Sequence, residues 1–526
     1  MAPTNRKSGR KAGRRSHSVS RKSDPSRRRR KAPNSGISRR DNGGGGNGGI
    51  GAATNADDTA KLKGILRVRM YRIGFGDFFL LTVPTASGQP EHVLIDCGVH
   101  ACDIGSIGDC VQDLVKETGS RLALVIATHY HADHLSGFAS QYEGFAQFEV
   151  GAVWITNRLD PSNKEAVNFQ ATLSSVADEL KLRLGARLAA GEEDLATRQA
   201  FDKAQNAIGV ELDAVGGSNK RALQLLTSGF KNKPPVYYYQ GGDDPVLPDV
   251  LKGAITARIL GPSPKDSGGT YAATDNRAEQ YLTVAANEGL SAAEALRPFE
   301  KVDWTARALD YPASVFREYG SEKEIQAEMS GKPADLERVL QAVQPDVLAA
   351  TADLLDGTLN NQSLVILFTC RGKKLLFVGD AQWGNWEYWL YGKAVTGQDP
   401  GISSTAKDIL GSIDFYKVGH HGSTNATPIP AVGAMSEKCV AMCSTETAYG
   451  LQRKTKPVYG NPKSGTEVPR TKLMDALEAR TKNKLVRSDW IAAGDAPASL
   501  EAQQELPKLP ANFTPGDRYI DYVFPN

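Results

Sequence analysis

Cysteine is scarce in this chain: Cys97, Cys102, Cys110, Cys370, Cys439 and Cys443 are the only six in 526 residues, and none forms a CxxC pair. That excludes a disulfide-dense secreted scaffold. With no spare histidine near Cys439 and Cys443 it also excludes a zinc knuckle there, so a reducing cytoplasm is the expected compartment. Long apolar runs are missing too. The longest, Leu122–Ala127 and Leu364–Phe368, have strand length, far short of the ~20 residues that span a bilayer, so no membrane span is expected. Gly74-Phe75-Gly76 lacks the GxGxxG form and any P-loop lysine, which excludes nucleotide binding of that kind.

What charge there is lies unevenly. Fifteen of the 63 Lys and Arg but one of the 60 acidic residues (Asp24) fall in residues 1–40; beyond them 48 basic face 59 acidic residues, a net of −11. The basic tail has no aromatic residue and no apolar periodicity, so it cannot bury enough surface to offset the entropy of ordering. Residues 43–52, GGGGNGGIGA, continue it as a flexible linker. The run Arg27–Lys31 suits nucleic-acid phosphates or an anionic surface, or simply solubilises the chain. The tail has no apolar h-region and does not read as a secretory signal.

Past the linker the pattern becomes that of an alternating α/β protein. Ile65–Tyr71, Phe78–Val83 and His92–Asp96 read as strands, Ile107–Thr118 as a helix, and Leu122–Ala127 as a fully apolar strand. Val150–Thr156, Ala257–Gly261, Ser363–Thr369, Lys374–Val378, Ser412–Val418 and Cys439–Cys443 read as further strands. Between them, Lys164–Arg187, Glu192–Leu212 and most of 270–355 are polar and helix-rich. This succession predicts a layered α/β sandwich interrupted by two helical insertions.

Histidine is as scarce as cysteine, with eight in the chain, yet His129, His131, His134, His420 and His421 fall in two short windows. At the chain's own residue frequencies an HxHxDH match arises by chance with odds on the order of one in ten thousand. His129 and His131 follow a buried strand at alternating positions, so both rings can point to one side of its end. Asp133 and His134 open the next element. Imidazole nitrogen with carboxylate oxygen suits Zn²⁺, Mn²⁺ or Fe. Asp380, after a strand and a Gly, is a further candidate ligand; His92 and His100 are expected to be structural.

Thr128–His134 matches the signature of the metallo-β-lactamase superfamily. Five further blocks resemble the branch represented by the soluble hydrolase domain of the competence protein ComEC: Ile73–Asp77, Leu94–Gly98, Asn360–Val365, Phe377–Asp380 and Lys417–Ser423. The resemblance covers roughly residues 64–157, 255–264 and 358–460. It implies an αββα metallo-β-lactamase sandwich with large helical insertions. The implied organisation is a basic tail and linker over 1–58, a catalytic domain in three parts (59–157, 251–266 and 356–526), and insertions at 158–250 and 267–355.

The resemblance further implies that His129 and His131 hold one metal and that Asp133, His134 and His420 hold a second, with Asp380 bridging them. Asp96 would orient the loop or a ligating histidine. His421 and Ser423 would contact substrate or position a ligand, and Asp77 would be structural or substrate-facing. No histidine lies between His134 and His420, so the ligand usually supplied after the next strand is missing, as it often is in that branch. Water, Asn157 or Asp160 could take the place. The expected chemistry is hydrolysis by a metal-bound hydroxide held by Asp133 or Asp380, with two ions, Zn²⁺ or else Mn²⁺ or Fe. The expected substrate is a phosphodiester, nucleic acid first. A lactam, lactone or thioester hydrolase is the alternative, and a regulatory protein with a structural metal is the alternative of another class.

Overall fold

The computed structural model describes residues 64–100, 104–191, 195–208, 218–264, 345–392, 401–446, 467–489 and 509–525. The basic tail, the linker, most of the second insertion and Cys102 lie outside them. Thr54–Asn526 forms one unit.

The strands are β1 (Arg67–Tyr71), β2 (Phe78–Val83), β3 (Glu91–Cys97), β4 (Arg121–Ala127), β5 (Glu149–Thr156), β6 (Val236–Tyr239), β7 (Thr256–Gly261), β8 (Val365–Cys370), β9 (Lys373–Phe377), β10 (Phe415–Lys417), β11 (Val440–Cys443), β12 (Leu485–Arg487), β13 (Phe513–Pro515) and β14 (Tyr519–Val523). They form two mixed sheets, ordered β13-β14-β1-β2-β3-β4-β5-β6 and β12-β11-β10-β9-β8-β7. In the first, β3 to β6 run parallel; in the second, β9 to β12 do. The helices that matter here are α1 (Ile107–Thr118), α2 (Ala132–Ser140), α3 (Lys164–Ala189), α4 (Leu195–Ile208), α5 (Ser218–Gln224), α6 (Pro345–Asn360), α7 (Trp383–Tyr391), α8 (Ser404–Leu410) and α9 (Thr471–Thr481).

Side chains alternate across a strand, so each sheet presents two apolar faces. Met70, Phe79, Val93, Leu124 and Trp154 of the first sheet share one core with Phe368, Leu375, Phe377 and Met442 of the second. The opposite faces pack on helices. Leu80, Leu94, Val125 and Val153 meet α1 to α4 and α6; Leu367, Leu376, Tyr416 and Ala441 meet α7, α8 and α9. The order is therefore helices, sheet, sheet, helices. Both faces of β4 are covered, which is why Leu122–Ala127 is a continuous apolar run.

The strands predicted from β1 to β11 form within a few residues of the expected bounds, and α1 is as expected. The sequence patterns missed β6 and β12 to β14. Strand β14 carries charge inward: the Arg69 guanidinium, 2% exposed, donates twice to Asp521 (2.8 and 2.9 Å) and lies 3.4 Å over the Tyr519 ring. An inward Asp breaks the apolar alternation that marks a strand, and its buried pairing with Arg69 removes the reason to exclude it.

Candidate metal centre

The candidate ligands gather where parallel strands end. β4 delivers Thr128–His131; α2 begins at Ala132, so Asp133 and His134 stand in its first turn, where the helix dipole favours the carboxylate. β9 ends just before Gly379 and Asp380, and β10 just before Gly419–His421. Gly379 has φ +53°, and a Cβ there would sit 2.9 Å from Thr128 and Ser363 side-chain atoms. Gly98 is equally constrained: a Cβ would come within 2.5 Å of the Asp133–His134 backbone.

Four imidazoles are anchored through Nδ1. The Nδ1 of His134 meets Asp96 Oδ2 at 2.8 Å, that of His421 the Ser444 carbonyl at 2.9 Å, and that of His131 Asn360 Oδ1 at 2.9 Å. His129 Nδ1 meets Thr128 Oγ1 at 3.1 Å, and Thr128 donates in turn to Asp96 Oδ2 at 2.7 Å. At His134 and His421 these acceptors turn Nε2 toward the carboxylates, whereas His129 Nε2 meets His131 Nδ1 at 3.1 Å. On the Nε2 side, His131 Nε2, His134 Nε2, Asp133 Oδ1 and Asp380 Oδ2 are buried without a hydrogen bond. His134 Nε2 is 3.1 Å from Asp380 Oδ2, outside hydrogen-bond geometry, while His421 Nε2 and Asp133 Oδ2 share a hydrogen bond at 3.0 Å. Buried polar atoms left without hydrogen bonds in this way fit a cation.

Two sets of ligand atoms, each within 4.8 Å of one another, result: His129, His131 and Asp133; and Asp133, His134, Asp380 and His421. A third set, Asp77, Asp96 and His134, is already spent internally. Asp96 accepts from His134, Thr128 Oγ1 and the Thr128 backbone N–H, and Asp77 contacts the Lys417 ammonium.

The charges are tightly balanced. Burial, with His134 and His131 beside it, holds His129 neutral, well below its ordinary pKa; burial likewise lowers His131. Burial opposes charge on His134 as well, but Asp380, Asp96, Asp133 and Asp77 outweigh it and raise its pKa strongly. Asp133 and Asp380 stay well below the usual carboxylate range despite burial, because His134 and His421 face both and Lys417 faces Asp380. A bound cation would displace the protons on these histidines.

The structure brings together His129, His131, Asp133, His134 and Asp380. Asp133 is common to both ligand sets, and Asp380, the bridging ligand implied by the resemblance, stands in the second. His421 joins the second set; His420, implied as a ligand, stands in neither. His420 and His421 both adopt left-handed backbone (φ 44° and 52°), which throws their rings 6.3 Å apart. His421 Nε2 turns to Asp133; His420 Nδ1 meets Ser423 Oγ (2.6 Å) and Asn425 Oδ1 (3.0 Å), its Nε2 lies 3.3 Å from Asn360 Nδ2, and it keeps 19% exposure. Ser423 thus holds His420 and stands outside both ligand sets. Asn157 Nδ2 donates to Gln240 Oε1 at 2.6 Å, and Asp160, which accepts from Ser162 Oγ at 2.7 Å, stands in neither ligand set.

Further residues support the cluster. Lys417 Nζ lies 2.8 Å from the Gly379 carbonyl and 3.2 Å from Asp380 Oδ1, and a lone lysine at a strand end carries no sequence signal for such a role. Two helices of the first insertion touch the histidine segment, α4 through Asn206, which accepts from the Asp133 N–H at 3.1 Å, and α5 through Asn219, which donates to the Tyr130 carbonyl at 2.6 Å; α6 reaches it through Asn360, the first residue of the Asn360–Val365 block. No protein-family model matches this chain, and no curated protein matches it. No helix among the described residues is long and apolar enough to cross a membrane.

Proposed function

We propose that this chain is a metal-dependent hydrolase of the metallo-β-lactamase fold, similar to the soluble hydrolase domain of ComEC, and that it cleaves phosphodiesters of nucleic acid or nucleotide-like substrates. The observation that carries the reading is the cluster of buried imidazoles and carboxylates in which His131 Nε2, His134 Nε2, Asp133 Oδ1 and Asp380 Oδ2 have no hydrogen bond. The helix–sheet–sheet–helix order and the HxHxDH segment support the fold assignment. The motif resemblance supports the substrate class, and the acidic body speaks against a long phosphate-tracking groove.

His129, His131 and Asp133 would hold one cation and Asp133, His134, Asp380 and His421 a second, with Zn²⁺ the best match to the donor set and Mn²⁺ or Fe compatible. When bound, such a pair lowers the pKa of a water and polarises the bond under attack. The chain's own part is positional. Asp96 aligns His134 directly and His129 through Thr128. Lys417 offsets the charge of Asp77 and Asp380. Asp133 Oδ1 and Asp380 Oδ2 are placed to accept a proton from water.

The test is to incubate the purified chain with Mn²⁺ or Zn²⁺ and single- and double-stranded DNA, RNA, a chromogenic phosphodiester, a lactam and a thioester. Phosphodiester cleavage that a chelator and His131→Ala both abolish is expected. Turnover of the lactam or thioester alone overturns the substrate class, and metal binding without any turnover favours a regulatory protein.

A further inference from the structure

The turn from β4 into α2 carries His131 and Asp133, and Asp133 belongs to both ligand sets, so a shift of this turn would disturb both at once. His131 occupies the N-cap position of α2 yet makes no side-chain hydrogen bond to the first turn. The backbone N–H groups there must find partners elsewhere. We infer that the first insertion is a working part of the metal centre, in which Asn206 and Asn219 are positioning residues that hold Tyr130–Asp133 so that His131 and Asp133 reach their cations. This rests on the metal-centre reading above and extends it to helices outside the motif resemblance.

Asn206 stands near the C-terminal end of α4, and its Oδ1 accepts the Asp133 N–H at 3.1 Å. It thus supplies from another helix the cap that α2 lacks. The Asp133 carbonyl accepts the Asp77 N–H at 2.9 Å, so the peptide groups on both sides of the Asp133 Cα are fixed. One residue before His131, the Tyr130 carbonyl accepts from Asn219 Nδ2 at 2.6 Å. The same amide lies 3.5 Å from the carbonyls of Asn206 and Ala207, which ties the turn to the end of α4. Both asparagines are buried. A buried peptide group deprived of such a partner shifts to find another or bears its desolvation unrelieved.

Packing brings these side chains within reach. Ala200, Ala204 and Ala207 recur at helical spacing on α4 and share one core with Ala222 of α5 and with Leu135 and Phe138 of α2. Small residues at a helix contact let the backbones approach closely, so the short asparagine side chains span the gap. An insertion seated in the core in this way is a fixed platform for the turn.

The experiment measures Zn²⁺ affinity by chelator competition and the visible spectrum of the Co²⁺ form. It uses the full chain and its Asn206→Leu, Asn206→Asp, Asn219→Leu, Lys203→Met and His131→Ala variants, with urea unfolding of the chelator-treated proteins alongside. Asn206→Leu keeps the bulk without an acceptor, whereas Asn206→Asp keeps an acceptor oxygen where the α2 N-terminus favours it. Ten-fold or weaker binding of both ions is expected in Asn206→Leu, and of one ion in Asn219→Leu, each with an altered Co²⁺ spectrum. Asn206→Asp should bind at least as tightly as wild type. Lys203→Met, which removes the exposed pair of α4 with Asp353, should bind as wild type does. Leucine variants that lose stability yet keep wild-type affinity and spectrum, while His131→Ala loses an ion, overturn this inference alone. Should the leucine variants fail to fold, amide exchange of the wild type decides, because coupling between two sites is reciprocal. Zn²⁺ should slow exchange in α4 and α5 more than in α8, and equal slowing overturns the inference. A wild type that takes up neither Zn²⁺ nor Co²⁺ overturns the metal centre with it.

Discussion

His421 Nε2 lies 3.0 Å from Asp133 Oδ2, a contact closed across 288 residues of chain. It joins the end of β10 to the first turn of α2, and so joins the two sheets at the edge where the candidate ligands converge.

His421→Ala should therefore weaken one metal ion by ten-fold or more, whereas His420→Ala should leave both bound and change turnover only. Metal content after dialysis against a chelator, measured for both variants, distinguishes them. Loss of an ion from His420→Ala with His421→Ala unaffected would reverse the assignment.

Asp96 accepts from His134 Nδ1, Thr128 Oγ1 and the Thr128 N–H, in a left-handed backbone (φ 56°) that only dense packing sustains in a non-glycine residue. Asp96→Asn replaces one acceptor oxygen by a donor. Metal affinity should fall about 10–100-fold with the fold intact, as read by Zn²⁺ competition beside circular dichroism. Wild-type affinity in that variant would show that Asp96 does not orient the ligands.

Lys417 is 2% exposed and meets Asp77, Asp380 and the Gly379 carbonyl. Lys417→Met leaves two buried carboxylates without their cation and should destabilise the chelator-treated protein by about 3–5 kcal/mol. Zn²⁺ should restore part of this, because a ligand that binds only the folded state stabilises it. Urea unfolding with and without Zn²⁺ reads both effects, and a chelator-treated variant as stable as wild type contradicts the account.

His92 lies between β2 and β4, with Nδ1 3.3 Å from Thr82 Oγ1. Burial pushes its pKa from 6.5 down to about 4, with Glu117 opposing and Arg67 and Arg69 assisting. Below pH 6.5 the unfolded chain takes up a proton that the folded chain refuses until about pH 4. His92 therefore contributes stability that is full above pH 6.5 and lost as the pH falls to 4, on the order of 3 kcal/mol in all. His92→Gln should lose correspondingly less between pH 7 and pH 4.5 in urea titrations. Parallel acid losses in the two proteins would rule His92 out as the cause.

The period-2 and apolar-run patterns determined most of the strands, because β2 to β5 and β8 to β11 are covered on both faces and burial forces apolar residues at nearly every position. The HxHxDH spacing likewise determined the first half of the site, since residues at a strand end and in the adjoining helical turn are neighbours by local geometry alone. What the sequence could not determine was orientation and long-range pairing. Which partners the His420 and His421 rings meet depends on two left-handed backbone steps, and Lys417 acquires its role only when β9 and β10 pair. Asn360 reaches His131 across 229 residues. β14 escaped the patterns because its inward Asp521 is made tolerable by an arginine on a strand some 450 residues away. Each of these depends on which elements pack together, and no local pattern carries that information.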